Sequence, residues 1–308
     1  MNNRQNIGGG VIGKISIILP NEILEKCENP MVIICVGTPQ ACKEIKQQLA
    51  EFWPESSFCL FDELMFGRHK DEILEVYDML ANEKSKEQYA KIVIARLQGS
   101  DIEEELVEEQ QYFCKKEFKR KNNNETFVDV GAYVGDTIER YINIREGICG
   151  KMYGFEPNID SYHAFQKRIQ RLNAEWALPE DKIIAVNAGV GKENGKACVF
   201  LDPGREESSA RISMEEDGLD IEIVSLDSYF SNQTVGLIKA DVEGFEMEVL
   251  QGAQMVIKRD KPKIAICIYH KASDLWEIPR LIKSINTDYK LEIGLHDYGY
   301  IETVLYAY

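Results

Sequence analysis

The residues best suited to chemistry fall at the ends of short apolar runs. Phe127-Val-Asp129-Val130 leads into Gly131-Ala132-Tyr133-Val134-Gly135, and Asp136-Thr137 then open a stretch of helical periodicity. Glycine lets a turn take positive φ and lets a ligand approach the backbone closely. The N–H groups of a first helical turn have no partner within the helix and face such a ligand. About 20 residues past the turn, an apolar run ends in Glu156-Pro157, where an open α/β sheet places the acid that takes ribose hydroxyls. Gly131-x-x-x-Gly135 lacks the third glycine of a pyrophosphate turn. The ligand expected is therefore a nucleoside without phosphates, which points to S-adenosylmethionine. The plainer alternative is an ordinary strand-to-helix turn.

Further along, Asp241 and Glu243 end another apolar run. Two residues apart, they share one side if the strand continues there. Such a pair could bind a metal, share a proton, or accept hydrogen bonds from cofactor or substrate; Asp241 could equally cap a helix. His270 follows the next apolar run, where a neutral imidazole could take a hydroxyl proton, though a structural histidine fits the spacing as well. Asn187 ends a third run and could face an adenine ring. Asp129 alone reads as a turn cap, and His69 and His163 as surface or packing residues. Gly8-Gly-Gly-Val-Ile-Gly13-Lys14 fits a phosphate-loop pattern, but Ile15 stands where Ser or Thr is required and no strand precedes it. No zinc-spaced Cys/His set occurs, and no metal site is assigned.

The chain has 308 residues, enough for two domains, and 44% are hydrophobic, as in a globular protein. Its net charge of -16 argues against non-specific nucleic-acid binding, which needs Lys and Arg to neutralise phosphates. Eight cysteines are scattered without a C-x-x-C pair, several inside apolar runs. That suits a reducing cytoplasm and small buried thiols. No apolar run is long enough to span a bilayer, and the polar, glycine-rich N-terminus does not resemble a signal peptide.

From Phe127 onward strand and helix patterns alternate, which predicts a mostly parallel sheet with helices on both faces and a site at the carboxyl ends of its strands. Strands are expected at 127–130, 152–155, 183–188, 237–241 and 264–268, with a helix at 159–176. An insertion carries strands at 197–201 and 221–224, and 291–295 with 303–307 forms a closing antiparallel hairpin. Residues 31–36 and 58–61 read as strands. A helix starts at Thr38-Pro39, another covers 71–80, and 101–109 reads as an acidic helical run. Residues 1–110 are therefore taken as a small α/β, half-Rossmann-like unit with a helical linker, and 111–308 as the main domain.

From Gln111 to Tyr308 the chain resembles the FkbM family of S-adenosylmethionine-dependent methyltransferases. The blocks that carry the resemblance are Gln111-Tyr-Phe113, Phe127–Thr137, Phe155-Glu-Pro157, Ser208-Ser209 and Leu237-Ile-Lys-Ala-Asp-Val-Glu-Gly-Phe-Glu246. Ile268-Tyr-His270 with Ile278-Pro279 and Glu302-Thr-Val-Leu-Tyr306 complete them. Tyr133 departs from generic methyltransferases, which often carry a glycine there. The resemblance implies a Rossmann-like class I methyltransferase fold, with a seven-stranded, mostly parallel sheet. It implies S-adenosylmethionine as cofactor, S-adenosylhomocysteine as product, and O-methylation of a small molecule, sugar or glycan. Asp129 would then orient the methionine amino group, and His270 would be the base, with His296 second. The alternatives are Mg²⁺ held by Asp241, Glu243 and His270 as in catechol-type enzymes, and a non-catalytic cofactor-sensing protein. The N-terminal unit is expected to cover substrate or make a homodimer contact. It should bind no nucleotide, because Val36-Gly37-Thr38-Pro39 lacks a glycine-rich phosphate loop. Saturable ATP or NAD binding that S-adenosylhomocysteine fails to compete would contradict that last expectation.

Overall fold

The computed structural model describes residues 11–12, 15–16, 31–36, 38–200, 211–213 and 219–308. The glycines and lysine of the Gly8–Lys14 run, Gly37, Ser208-Ser209 and most of the 202–220 insertion lie outside the described residues.

Strands β1 (Val11–Ile12) and β2 (Ile15–Ser16) form a short antiparallel pair. β3 (Val32–Ile34) and β4 (Phe58–Leu60) pair in parallel, joined through α1 (Pro39–Ala50). The Thr38 hydroxyl accepts from the Ala41 amide and proline occupies the first turn, so helix α1 begins where its sequence allows. Ile34, Cys42, Leu49, Trp53 and Leu60 make a small apolar cluster here.

Helices α2 (Phe61–Arg68), α3 (Lys70–Met79) and α4 (Glu83–Gln98) follow. Their buried Phe66, Val76, Tyr89 and Ile92 belong to one apolar cluster with the main sheet. The acidic stretch expected to be helical at 101–109 is largely extended, with one short 3-10 turn at Glu104–Leu106. Tertiary hydrogen bonds override its helical composition: Ile102 N–H donates to the Tyr298 carbonyl, Glu108 N–H to the Leu295 carbonyl, and the Gln88 amide to the Leu106 carbonyl.

The main sheet begins with β5 (Phe127–Val130), α5 (Asp136–Ile144), β6 (Met152–Phe155), α6 (Ile159–Trp176) and β7 (Ile183–Val186). A smaller sheet then intervenes, built of β8 (Gly189–Val190), β9 (Gly195–Phe200), β10 (Arg211–Ser213) and β11 (Leu219–Val224), in the order β10-β9-β11-β8. The short helix α7 (Leu226–Tyr229), β12 (Leu237–Ala240), α8 (Glu246–Gln251), α9 (Gln254–Asp260) and β13 (Lys263–Cys267) return the chain to the main sheet. The final elements are α10 (Asp274–Ile285), β14 (Leu291–Leu295) and β15 (Thr303–Ala307).

The seven strands lie in the order β14-β15-β13-β12-β5-β6-β7, with only β15 antiparallel to its neighbours. That is the α/β class I methyltransferase sheet. β5, β6 and β12 are buried at every position, as sheets covered on both faces require. The apolar positions after β12 read as one helix, yet the helix breaks between Gln251 and Gln254. Asp227 explains the break: its amide donates to the Gly252 carbonyl, while its carboxylate accepts from the Met255 and Val256 amides and so starts a second helix.

Under the N-terminal end of the sheet sits Arg145, fully buried, with a terminal guanidinium nitrogen 2.5 Å from a Glu125 carboxylate oxygen. It also donates to the Phe118 carbonyl and lies over the Tyr141 ring. Glu125 holds Lys263 as well, at 2.6 Å. Removing Arg145 leaves Glu125 with Lys263 alone, orphans the buried Phe118 carbonyl and opens a cavity against Tyr141, so Arg145→Ala should lower unfolding stability by about 3–5 kcal/mol. Urea titration checks this, and an unchanged midpoint with an unchanged slope would refute it.

Candidate functional site

A cavity of about 280 Å³ opens at the carboxyl ends of β5, β6 and β12. Gly131, Tyr133, Asp136, Thr137, Glu156, Pro157, Asp241 and Glu243 all line it. The turn after β5 is pinned first. Gly131 and Ala132 donate their amides to the Phe155 carbonyl, and Gly131 takes φ +77°. A Cβ on Gly131 would sit 1.9 Å from the Asp241 carbonyl oxygen, and one on Gly135 would sit 2.1 Å from the Phe165 ring. Both positions therefore require glycine for close approach as well as for positive φ.

Glu156 is 8% exposed. Its carboxylate accepts from the Tyr133 and Asn158 amides, each at 2.8 Å. Burial lifts its pKa to about 7, against the pull of those two amides. Asn187 does not line the cavity; its side-chain amide bridges the Glu156 and Pro157 carbonyls at 2.9 and 3.1 Å and so holds the Glu156 loop. Asp129 is wholly buried, with Lys239 Nζ 3.0 Å from its carboxylate. It stands behind the cavity wall, whereas Lys239 reaches the lining. Ala132 and Gly135 likewise shape the turn from behind.

At the other end, His270 lies among three acids. Its Nδ1 is 2.8 Å from Glu246 Oε1, and its Nε2 is 3.6 Å from Asp241 and 3.7 Å from Glu243. Burial would lower the imidazole pKa, but the Glu246, Asp241 and Glu243 charges outweigh it and raise it to about 9. Glu246, fully buried, also accepts from the Val242 amide and is thereby fixed. His296 has both ring nitrogens engaged, by the Glu108 carbonyl and the Tyr306 hydroxyl.

Several lining residues were not singled out individually from the sequence. Tyr112 donates its hydroxyl to Asp241 Oδ2 at 2.7 Å. Gln111 binds Glu302 from across the chain, and Arg140 and Tyr269 complete the wall. Nor was Glu246, which grips His270 from behind the cavity. Gln111-Tyr112 and Glu302 fall within the quoted blocks, but no spacing rule connects residues 111 and 302. Tyr112, Tyr133, Glu243 and Glu302 all take positive φ, at +68°, +46°, +54° and +62°. Backbone strain is thus concentrated in the cavity wall.

Glu156 would serve a ribose as an ionised acceptor of two hydroxyl hydrogen bonds. Losing charge-assisted hydrogen bonds costs about 1.5–3 kcal/mol, so Glu156→Ala should weaken S-adenosylmethionine binding by roughly 10- to 100-fold. The carboxyl is mostly protonated below a pKa of about 7. Affinity should therefore rise between pH 6 and pH 8, and Glu156→Gln should abolish that rise. Calorimetry at both pH values checks the pair of outcomes; unchanged affinity in the folded variants would refute the role.

Residues 129–301 match the methyltransferase FkbM domain family. Comparison with curated proteins gave no match. Among solved structures, an FkbM methyltransferase from Methylobacillus flagellatus KT aligns at TM-score 0.67 and 20% identity, covering 96% of this chain and 79% of that one. An rRNA methylase from Streptococcus thermophilus aligns at TM-score 0.38 and 15% identity, over 62% of this chain and 90% of that one. Aeropyrum pernix fibrillarin, solved with S-adenosyl-L-methionine, aligns at TM-score 0.37 and 12% identity, over 61% of this chain and 67% of that one. The first likeness supports the fold; the other two, below 0.5, imply nothing for this chain's activity. The family match extends over more than half of the chain, from the glycine turn through His270 to the loop before β15, and so takes in most of the cavity wall: the chain belongs to the FkbM methyltransferase domain family and is a methyltransferase.

Proposed function

We propose that this methyltransferase moves the methyl group of S-adenosylmethionine to a hydroxyl oxygen of a small molecule or sugar. The observation that carries the reading is the polarity of one cavity: a glycine turn and Glu156 line one end and Asp241 and Glu243 the other, with His270, held by Glu246, directly behind those two acids. The residues fit the cofactor, because a buried carboxylate beside a close-packed turn suits a ribose better than a phosphate. Bound there, S-adenosylmethionine supplies an already activated sulfonium methyl and leaves as S-adenosylhomocysteine.

The protein's part is positioning and proton removal. Glu156 would fix the ribose, with Tyr133 and Asn158 holding its carboxylate in place. Glu246 orients the His270 ring so that Nε2 faces the Asp241–Glu243 pair. In its neutral form Nε2 accepts the proton as the acceptor oxygen attacks in line with the departing sulfur. The three carboxylates then stabilise the imidazolium that forms. Tyr112 holds Asp241 in register with this event.

A second reading draws on a specific feature. Asp241, Glu246 and His270 each offer a ligand atom within 4.8 Å of the others. Asp241 Oδ1 and Glu246 Oε2 are buried without a hydrogen-bond partner. One imidazole and two carboxylates suit Mn²⁺ or Zn²⁺ better than Mg²⁺. In that case the metal, not His270, would acidify the acceptor hydroxyl.

Under the first reading His270→Ala should lower kcat by about 10²–10⁴-fold with S-adenosylmethionine affinity nearly intact. Because the base must be neutral, kcat should climb with pH and level off near pH 9. Asp241→Asn should reduce that plateau pH, since it removes one of the charges that raise the imidazole pKa. Near-full kcat in His270→Ala would place the base elsewhere. Activity lost to EDTA and restored by Mn²⁺ or Zn²⁺ would favour the metal.

A further inference from the structure

A second cavity, of about 370 Å³, lies against the first. Tyr269 lines both. The remaining walls come from two places: His270, Lys271 and Ile301 at the ends of β13 and the β14–β15 loop, and Ile34, Leu60 and Phe61 from the N-terminal segments. His270 itself lines the second cavity, not the first.

Size calls for two ligand spaces rather than one. Small-ligand pockets run from roughly 300 to 1,000 Å³. The first cavity, near 280 Å³, lies at the lower edge of that range, too small for a nucleoside-sized cofactor and an acceptor together. The acceptor needs its own space, and that space must reach the imidazole. The second cavity meets both requirements.

Its lining also has a chemical character. Ile34, Leu60, Phe61 and Ile301 give it an apolar side, with Phe61 43% and Ile301 38% exposed. Arg96 is there, but Asp62 neutralises it through contacts of 2.7 and 3.4 Å. Lys271 has no carboxylate within ion-pair distance among the described residues, and lies on the lining with its stem along Gly244. Asp274 lies near enough to feel its charge, but no acid closes on it, and in a chain of net charge -16 a lysine without a close ion pair on a cavity wall is the feature that would attract an anion.

Resting on the proposed function, we propose that the second cavity is the acceptor site, and that the acceptor is a hydroxylated anion with an apolar face. Its acidic group pairs with Lys271, its apolar face packs on Phe61 and Ile301, and its hydroxyl reaches past Tyr269 to His270. The anion comes from either a hydroxy acid or a sugar phosphate.

The test uses the full chain saturated with S-adenosylhomocysteine. Four probes are titrated by calorimetry: 3-hydroxybenzoate, glucose 6-phosphate, benzyl alcohol and glucose. At least one anionic probe should bind at least tenfold more tightly than its neutral counterpart, and which one binds identifies the source of the anion. Lys271→Glu and, separately, Ile301→Trp should each weaken that probe at least tenfold while S-adenosylhomocysteine affinity stays within twofold of the parent. Equal binding of neutral and anionic probes, no binding of either anion, or binding insensitive to both substitutions would overturn the assignment. Failure of S-adenosylhomocysteine to bind the parent chain would instead overturn the cofactor reading beneath it.

Discussion

The fold around the cavity depends on one buried ion pair. Lys239 and Asp129 face each other across the β12–β5 ladder, both almost wholly buried, with 3.0 Å between ammonium and carboxylate. Burial would discharge the lysine, but Asp129 and Asp241 hold its pKa above the ordinary value. The same ammonium donates to the Gly131 carbonyl at 2.7 Å and lies 5.2 Å from the centre of the Tyr112 ring. A single cation therefore ties together two central strands, the glycine turn and the tyrosine that holds Asp241. Breaking such a pair on one side leaves an uncompensated charge in the core.

From that anchor the site acquires its electrostatic character. Asp241, Glu243, Glu246, Asp274 and Glu302 crowd around one imidazole. Burial and mutual repulsion act on two of them: Asp274 reaches about 7 through burial and Glu246, and Glu302 rises through burial and Asp241. Any cation arriving beside these groups is stabilised without reorganisation of the protein, because the carboxylates are already fixed by Tyr112, Gln111 and backbone amides. A cationic methyl donor and a protonated base are both such species.

Much of this architecture could be read from residue pattern. β5, β6, α6, β14 and β15 fall where apolar runs and their flanking breakers place them, because the period of each is set by its own buried side chains. The glycine turn was legible for the same reason. Where tertiary hydrogen bonds overrule local preference, pattern failed: 101–109 is acidic and helix-prone, yet its backbone is taken up by Leu295 and Tyr298. At the site, the residues at strand ends were accessible to sequence reasoning, whereas Glu246 was not. Its importance lies in a fully buried carboxylate meeting an imidazole from another strand, and no spacing encodes that meeting. Asp129 illustrates the reverse: its position beside the turn was plain, but its engagement by Lys239 required knowing that β5 and β12 are neighbours.

The strand order has a consequence for how the chain assembles. β14 joins the sheet only through β15, which lies between it and β13. Helix α4 docks on β14, where the Ser85 hydroxyl accepts from the Ile293 amide and the Ala81 amide donates to the Leu291 carbonyl. During synthesis, α2 to α4 therefore emerge early, with apolar faces whose partners on α10 and β14 do not exist until residues 274–295 have been made. Such long-range closure slows folding and leaves exposed apolar surface in the interval. A nascent chain of this topology would be a natural client for chaperones, because helices made early wait for a strand made late.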